Sequence, residues 1–273
     1  MNFKLCLVFI MILFLCPIIL NQYFSTTPHQ VSSKEQDDKP KQKEQLVYAG
    51  NVIAPVTTAT TKPQKKALLL FTHSHEAFEP IAENKTGLKA VYHSTTNITD
   101  FSETLSSQFK INSISTDFVE VDTTSELNRL NLDYGKAYDV IRPYLKDSIQ
   151  KSNYDIIIDL HRDSAKRKII TLKIENETYA KVYFVVGEKH QNFAENKRFA
   201  EHLSTHMNEL VPEISRGVIG KKGESEDGVY NQDLQGNMVL IELGGIESTE
   251  EEVNRTISVL AKAVSTVLQE TPH

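Results

Sequence analysis

Three short apolar runs in this chain each end in side chains that can bind a metal or move a proton. ALLLF (67–71) is followed by Thr72, His73, Ser74, His75 and Glu76, YDIIID (154–159) by Leu160, His161, Arg162 and Asp163, and MVLI (238–241) by Glu242, Leu243, Gly244 and Gly245. An imidazole or carboxylate at the end of a buried strand loses hydration, and a shared metal ion compensates several such groups at once. Both cysteines, Cys6 and Cys16, lie in the first 20 residues, so a metal in the rest of the chain rests on His, Asp and Glu. Two histidines and a carboxylate leave zinc a coordination position for water, whose pKa then falls toward neutrality, and a carboxylate that is not a ligand can act as general base. Taken singly, each His also reads as a hydrogen-bonded strand end, and Glu242 as a buried ion-pair partner.

The elements that must place these groups alternate along the chain. The helical pattern NITDFSETLSSQFK (97–110) puts Ile98, Phe101, Leu105 and Phe109 on one face, and DYGKAYDVIRPYLKDSIQK (133–151) does the same with Tyr134, Ala137, Ile141, Tyr144 and Ser148. KIITLKIENETYAKVYFVVG (168–187) reads as a hairpin, 193–210 as a helix, and 248–270 as a last helix with a capping box at Ser248 and Glu251. Helices interleaved with continuously apolar strands predict an α/β fold: a single three-layer domain whose mostly parallel central sheet is covered by helices on both faces. In such sheets sites form beyond the carboxyl ends of the strands.

The chain has 273 residues, 40% apolar and 24% charged, with a formal charge of −6, which excludes a disulfide scaffold and gives no pull toward nucleic acid. Leu5 to Leu20 carry no charge, a run of 16 that flanking residues extend to a transmembrane helix over 1–24. A cleaved signal peptide is the alternative, and it calls for a more basic start and a small-x-small cleavage site. Lys4 on the cytoplasmic side places the rest of the chain outside a cell membrane it crosses once. Residues 25–66, rich in Ser, Thr, Gln, Lys and Glu, read as a disordered, flexible polar linker, and 67–270 as the catalytic domain.

The stretches THSHEAFEP (72–80), DLHRD (159–163), YNQDL (230–234) and LIELGG (240–245) resemble, in this order, the stage II sporulation protein P family, related in fold to zinc-dependent N-acetylmuramoyl-L-alanine amidases. The resemblance implies that His73 and His161 ligate zinc. It implies a third, carboxylate ligand soon after the first His, at Glu76 with Glu79 as rival, and a catalytic role for Glu242. It implies a peptidoglycan hydrolase at the sporulation septum, with the stage II sporulation proteins D and M as partners and a possible endopeptidase activity beside the amidase. A zinc peptidase with the same metal set and a non-catalytic wall-binding module are the alternatives.

Other residues carry weaker signals. His75 faces away from His73 if the segment is extended, and ligates only if it loops. His202 and His206 have the i, i+4 spacing that grips zinc, but Leu203 stands where a metalloprotease motif has Glu, and a half-buried structural role is the better reading. His93 and His190 have no partner pattern. Arg162 and Asp163 are expected to orient neighbouring groups, and Arg216, Asn231 and Gln232 to lie in loops that hold substrate or bond locally. KKGESEDG (221–228) reads as a mobile loop, beside the pocket or merely solvated.

Overall fold

The computed structural model describes residues 65–224 and 226–270. The expected anchor over 1–24, both cysteines and all of the linker up to residue 64 lie outside the described residues. Among the described residues no helix is long and apolar enough to cross a membrane.

Strand β1 (Lys65–Leu70) starts two residues earlier than the apolar run suggests, and its last four residues are buried. It is followed by α1 (Glu79–Thr86), a 3-10 turn (Ile98–Phe101), α2 (Ser102–Ile111) and β2 (Ile114–Phe118). Next come α3 (Thr123–Leu130), a 3-10 turn (Tyr134–Lys136), α4 (Ala137–Lys151) and β3 (Ile156–Asp163). After one helical turn (Arg167–Ile170) the chain forms β4 (Thr171–Ile174), β5 (Glu177–Ala180), β6 (Val182–Gly187) and α5 (Phe193–Leu210). It ends with β7 (Ser215–Lys221), a 3-10 turn (Gln232–Leu234), β8 (Met238–Gly245) and α6 (Glu250–Glu270).

Six strands make one mixed sheet in the order β2-β1-β3-β8-β6-β7. Four of the five pairings are parallel and only β6 against β8 is antiparallel. The period of two along a strand explains why the runs are apolar throughout. Ala67 and Leu69 of β1, with Ile156 and Ile158 of β3, face a core closed by Leu105 and Phe109 of α2, Leu203 and Met207 of α5 and Ile257 and Val264 of α6. Leu68, Leu70 and Ile157 face the opposite side, where Ile141 and Leu145 of α4 pack.

Three readings need correction. The segment 168–187 is not one hairpin: only β4 and β5 pair with each other, around a turn where Glu175 adopts φ +53°, while β6 joins the main sheet against β8. The capping box of α6 sits one residue later than expected. The Thr249 N–H donates to the Glu252 carboxylate at 3.0 Å and the Glu252 N–H to Thr249 Oγ1 at 3.3 Å, whereas Ser248 Oγ accepts the Gly245 N–H at the end of β8. Arg216 is on strand β7, not in a loop.

The order of the strands locates the site. From β1 the chain crosses to β2 on one side and returns on the other side as β3, so a crevice opens where the two connections diverge, beyond the carboxyl ends of β1 and β3. His73 follows β1, and His161 lies near the carboxyl end of β3.

Candidate metal centre

After β1 the chain turns sharply: the Glu76 N–H donates to the His73 carbonyl at 3.1 Å, and Glu76 then bridges Tyr92. The turn folds the Glu76 carboxylate back between two imidazoles. Its Oε1 lies 3.3 Å from His73 Nδ1, and its Oε2 lies 3.8 Å from His161 Nδ1. The two rings meet edge to face, with centroids 4.8 Å apart. His161 and Glu76 are buried, and His73 is about one-fifth exposed at its side chain. Glu79, in contrast, opens α1 and is not part of this cluster.

His161 is held from both sides. Asp159, two residues earlier and so on the same face of β3, puts its Oδ1 3.1 Å from His161 Nε2, an ion-pair contact rather than a well-aligned hydrogen bond. Asp159 is itself fixed by Thr72, whose N–H donates to Oδ1 at 3.0 Å and whose hydroxyl donates to Oδ2 at 2.6 Å. On the second side stands Glu76, which Arg162 fixes. The Arg162 N–H donates to Glu76 Oε2 at 2.8 Å and its guanidinium to the carbonyls of Ala77 and Val91, over the Tyr92 ring.

The electrostatics fit a cation at the two Nδ1 atoms. Burial opposes the charge of Glu76, but the hydrogen bonds and charges of His161 and His73 win and hold its pKa at about 2. Burial likewise disfavours a charged His161, yet Asp159 and then Glu76 raise its pKa well above the usual imidazole range. Two imidazole nitrogens with one carboxylate oxygen are a donor set suited to zinc.

Glu242 stands beside this cluster by sheet register. It is the parallel partner of His161 and the antiparallel partner of Tyr183. Its buried Oε2 has no hydrogen-bond partner among the described residues. Burial above all, reinforced by the charges of Glu76 and Asp163 and opposed by His161 and Arg162, pushes its pKa up to about 7. The strand carrying it turns away at Gly244, whose φ of +68° and 2.5 Å approach of a would-be Cβ to Ser248 Oγ leave no room for a side chain.

Aromatic rings wall the crevice. Tyr134 stacks on His73 with centroids 4.3 Å apart, and Tyr138, from the first turn of α4, lies 5.7 Å from His73 and 6.3 Å from His161. Burial first, then the charges of Asp159 and Glu242, push the Tyr138 phenol well above its ordinary pKa, so it remains a hydrogen-bond donor. Tyr230, just after the 221–228 segment, packs edge to face on Tyr138 at 5.2 Å.

The remaining candidates take structural places. His75 Nε2 pairs with Asp122 Oδ2 at 2.9 Å and points away from the cluster. Asp163 accepts the Ala165 N–H and pairs with Arg216, whose guanidinium lies over Tyr183 at 4.3 Å. Asn231 bonds Arg142 and the Tyr138 carbonyl, and buried Gln232 bridges the Val185 carbonyl and the Gly187 N–H, so neither is free to hold substrate. His93 caps its own loop, accepting the N–H of Thr96. Asp159, Tyr138 and Tyr183 are the site residues that the sequence reading passed over. Asp159 had a signal, an acid two residues before a His in a buried strand; Tyr138 lies one position off the apolar stripe of its helix.

Comparison with known proteins places the chain. A family model described as Stage II sporulation protein P (SpoIIP) matches residues 20–265. The stage II sporulation protein P of Bacillus subtilis (strain 168) is 32% identical over 243 residues, which cover 88% of this chain and 61% of the relative, so the chain spans about three-fifths of that protein's length. Among solved structures, the CwlD amidase from Clostridioides difficile in complex with the GerS lipoprotein is similar at 12% identity and a TM-score of 0.48, over 76% of this chain and 100% of that one. A metallo-carboxypeptidase from Burkholderia cenocepacia is similar at 11% identity and a TM-score of 0.44, over 76% and 58%. On the extent of the family match and the identity to the Bacillus protein, the chain belongs to the stage II sporulation protein P family.

Proposed function

We propose that this chain is a zinc-dependent N-acetylmuramoyl-L-alanine amidase that cuts peptidoglycan in sporulation, held to the membrane by its amino-terminal apolar segment with the catalytic domain outside the cytoplasm. The observation that carries this reading is the meeting of His73, Glu76 and His161 at one point, with Glu242 as their sheet neighbour, in a member of this family. His73 and His161 through Nδ1, and Glu76 through its carboxylate, would hold the ion. Bound there, zinc supplies Lewis acidity to the scissile carbonyl and to the attacking water.

The chain's own residues do the rest. Glu242 takes a proton from the water that adds to the carbonyl carbon and delivers it to the amide nitrogen as the carbon–nitrogen bond breaks, leaving a muramoyl carboxylate and a stem peptide with a free L-alanine amine. Asp159 and Arg162 hold His161 and Glu76 in place, and the protonated Tyr138 offers a donor at the pocket wall. A tether gives the enzyme a high effective concentration at a substrate polymer fixed outside the same membrane. The stage II sporulation proteins D and M are the proposed partners at the septum.

The test is digestion of purified sacculi, with bound zinc measured on the same sample. Released stems beginning with L-alanine, lost on chelation, are the expected result. Fragments cut within the crosslinks, with stems left on the sugar, would assign a peptidase instead, and binding without soluble product would leave a wall-binding module. Asp159→Asn is expected to weaken zinc binding 10- to 100-fold, as the loss of a carboxylate behind a ligating His does. An unchanged affinity would remove Asp159 from the site.

A further inference from the structure

On α5 and the last turn of α6, a second set of metal-binding atoms converges away from the candidate catalytic centre. His202 Nε2 and His206 Nε2 are 3.2 Å apart, and Glu270 Oε2 lies 3.2 Å from the first and 2.9 Å from the second. Helix α6 begins just after the carboxyl end of β8 and runs for 21 residues, about 30 Å, so Glu270 sits near the opposite edge of the sheet from Glu242.

The convergence of three donor atoms, with a further carboxylate behind one of them, is what points to an ion. His206 Nδ1 lies 2.8 Å from Glu209 Oε2, so a carboxylate stands behind the ring on the side away from Glu270. His206 Nε2 faces a carboxylate oxygen and a second imidazole nitrogen. Two imidazole nitrogens and a carboxylate oxygen spaced 2.9–3.2 Å apart match ligand atoms set around one small cation, and the carboxylate behind His206 repeats the outer partner of a metal-bound histidine.

We propose that His202, His206 and Glu270 form a second zinc site, with water completing the coordination, which staples α5 to the end of α6. The site is reachable: His202 is 43% exposed at its side chain and also borders a cleft of about 400 Å³ lined by Arg198, Phe199, Asn237 and Leu268. Its role is structural. The motif-based reading of these two histidines as half-buried and structural leaves out Glu270, which comes from another helix 64 residues after His206.

The experiment is a zinc titration of the metal-stripped full chain, with stoichiometry from calorimetry and the melting temperature from the same samples. His206→Gln is expected to lose one zinc per chain relative to the wild type, whatever the wild-type total. Zinc at 100 times its Kd favours the folded state about 100-fold, a rise of about 5–10 °C in melting temperature, and the share due to this site disappears in the variant. Glu209→Gln, which touches no ion, is expected to weaken this zinc 10- to 100-fold. Should His206→Gln fail to fold, Glu270→Ala at the exposed helix end gives the same readout. Equal stoichiometry and affinity in the variants and the wild type would overturn the proposal. A failure at His73 and His161 leaves the count lost at His206 unaffected, so the two sites stand or fall separately.

Discussion

Glu242→Gln is expected to lower the rate of sacculus hydrolysis by 10²- to 10⁴-fold while leaving zinc bound, because a positioned acid–base group contributes that much and the amide cannot accept the proton. The same substitution is expected to stabilise the metal-free chain. An ordinary carboxyl titrates near 4.5, but burial moves Glu242 in the folded chain to about 7. Below pH 4.5 both folded and unfolded forms are protonated and the group is neutral in its effect. Between 4.5 and 7 the unfolded chain ionises first, and above 7 the folded state carries the full penalty, on the order of 3 kcal/mol for such a shift. Urea melts of zinc-stripped protein at pH 8 would show Glu242→Gln more stable than the wild type, with the gain vanishing toward pH 4. A variant that still digests sacculi at the wild-type rate, folded and zinc-loaded, would take Glu242 out of the mechanism. One that melts no later at pH 8 would mean that the carboxyl is better solvated than its orphaned Oε2 implies.

That penalty is the reason the pocket was visible in the sequence at all. Ionisable groups at the ends of ALLL, IIID and MVLI break runs that otherwise serve only a two-sided core, and the structure brings all three ends to one crevice. The central strands and the long helices were legible for the same reason: buried on both faces or along one stripe, they carry strong periodicity. What escaped was the solvated rim. Strands β2 (ISTDF) and β7 (SRGVIGK) are edge strands, half-buried and rich in polar residues or glycine, so neither has an apolar run to announce it. The 168–187 segment misled because two consecutive strands choose different partners, β5 a local one and β6 a strand more than 50 residues away. Side chains that reach the site across elements, such as Tyr138 and Asp159 with its Thr72 anchor, depend on packing that no single stretch encodes.

Glu76→Gln should show the opposite stability signature within the same pocket. Here the folded-state pKa falls from 4.5 to about 2, because the charges and hydrogen bonds of His161 and His73 outweigh burial. The stabilisation is fully present above pH 4.5, on the order of 3 kcal/mol, and is lost as the pH falls toward 2. The amide keeps the shape but neither charge nor the second acceptor, so the metal-free variant is expected to be less stable than the wild type at pH 7 and indistinguishable from it near pH 2. It also leaves two imidazoles where zinc needs a third protein ligand, so zinc content and hydrolysis should fall together. Glu79→Gln is the control: at the start of α1 and outside the cluster, it should change stability by less than about 0.5 kcal/mol and leave zinc in place. If instead Glu79→Gln loses the metal and Glu76→Gln keeps it, the turn after β1 presents the other carboxylate when loaded, and the metal centre has to be rebuilt around Glu79.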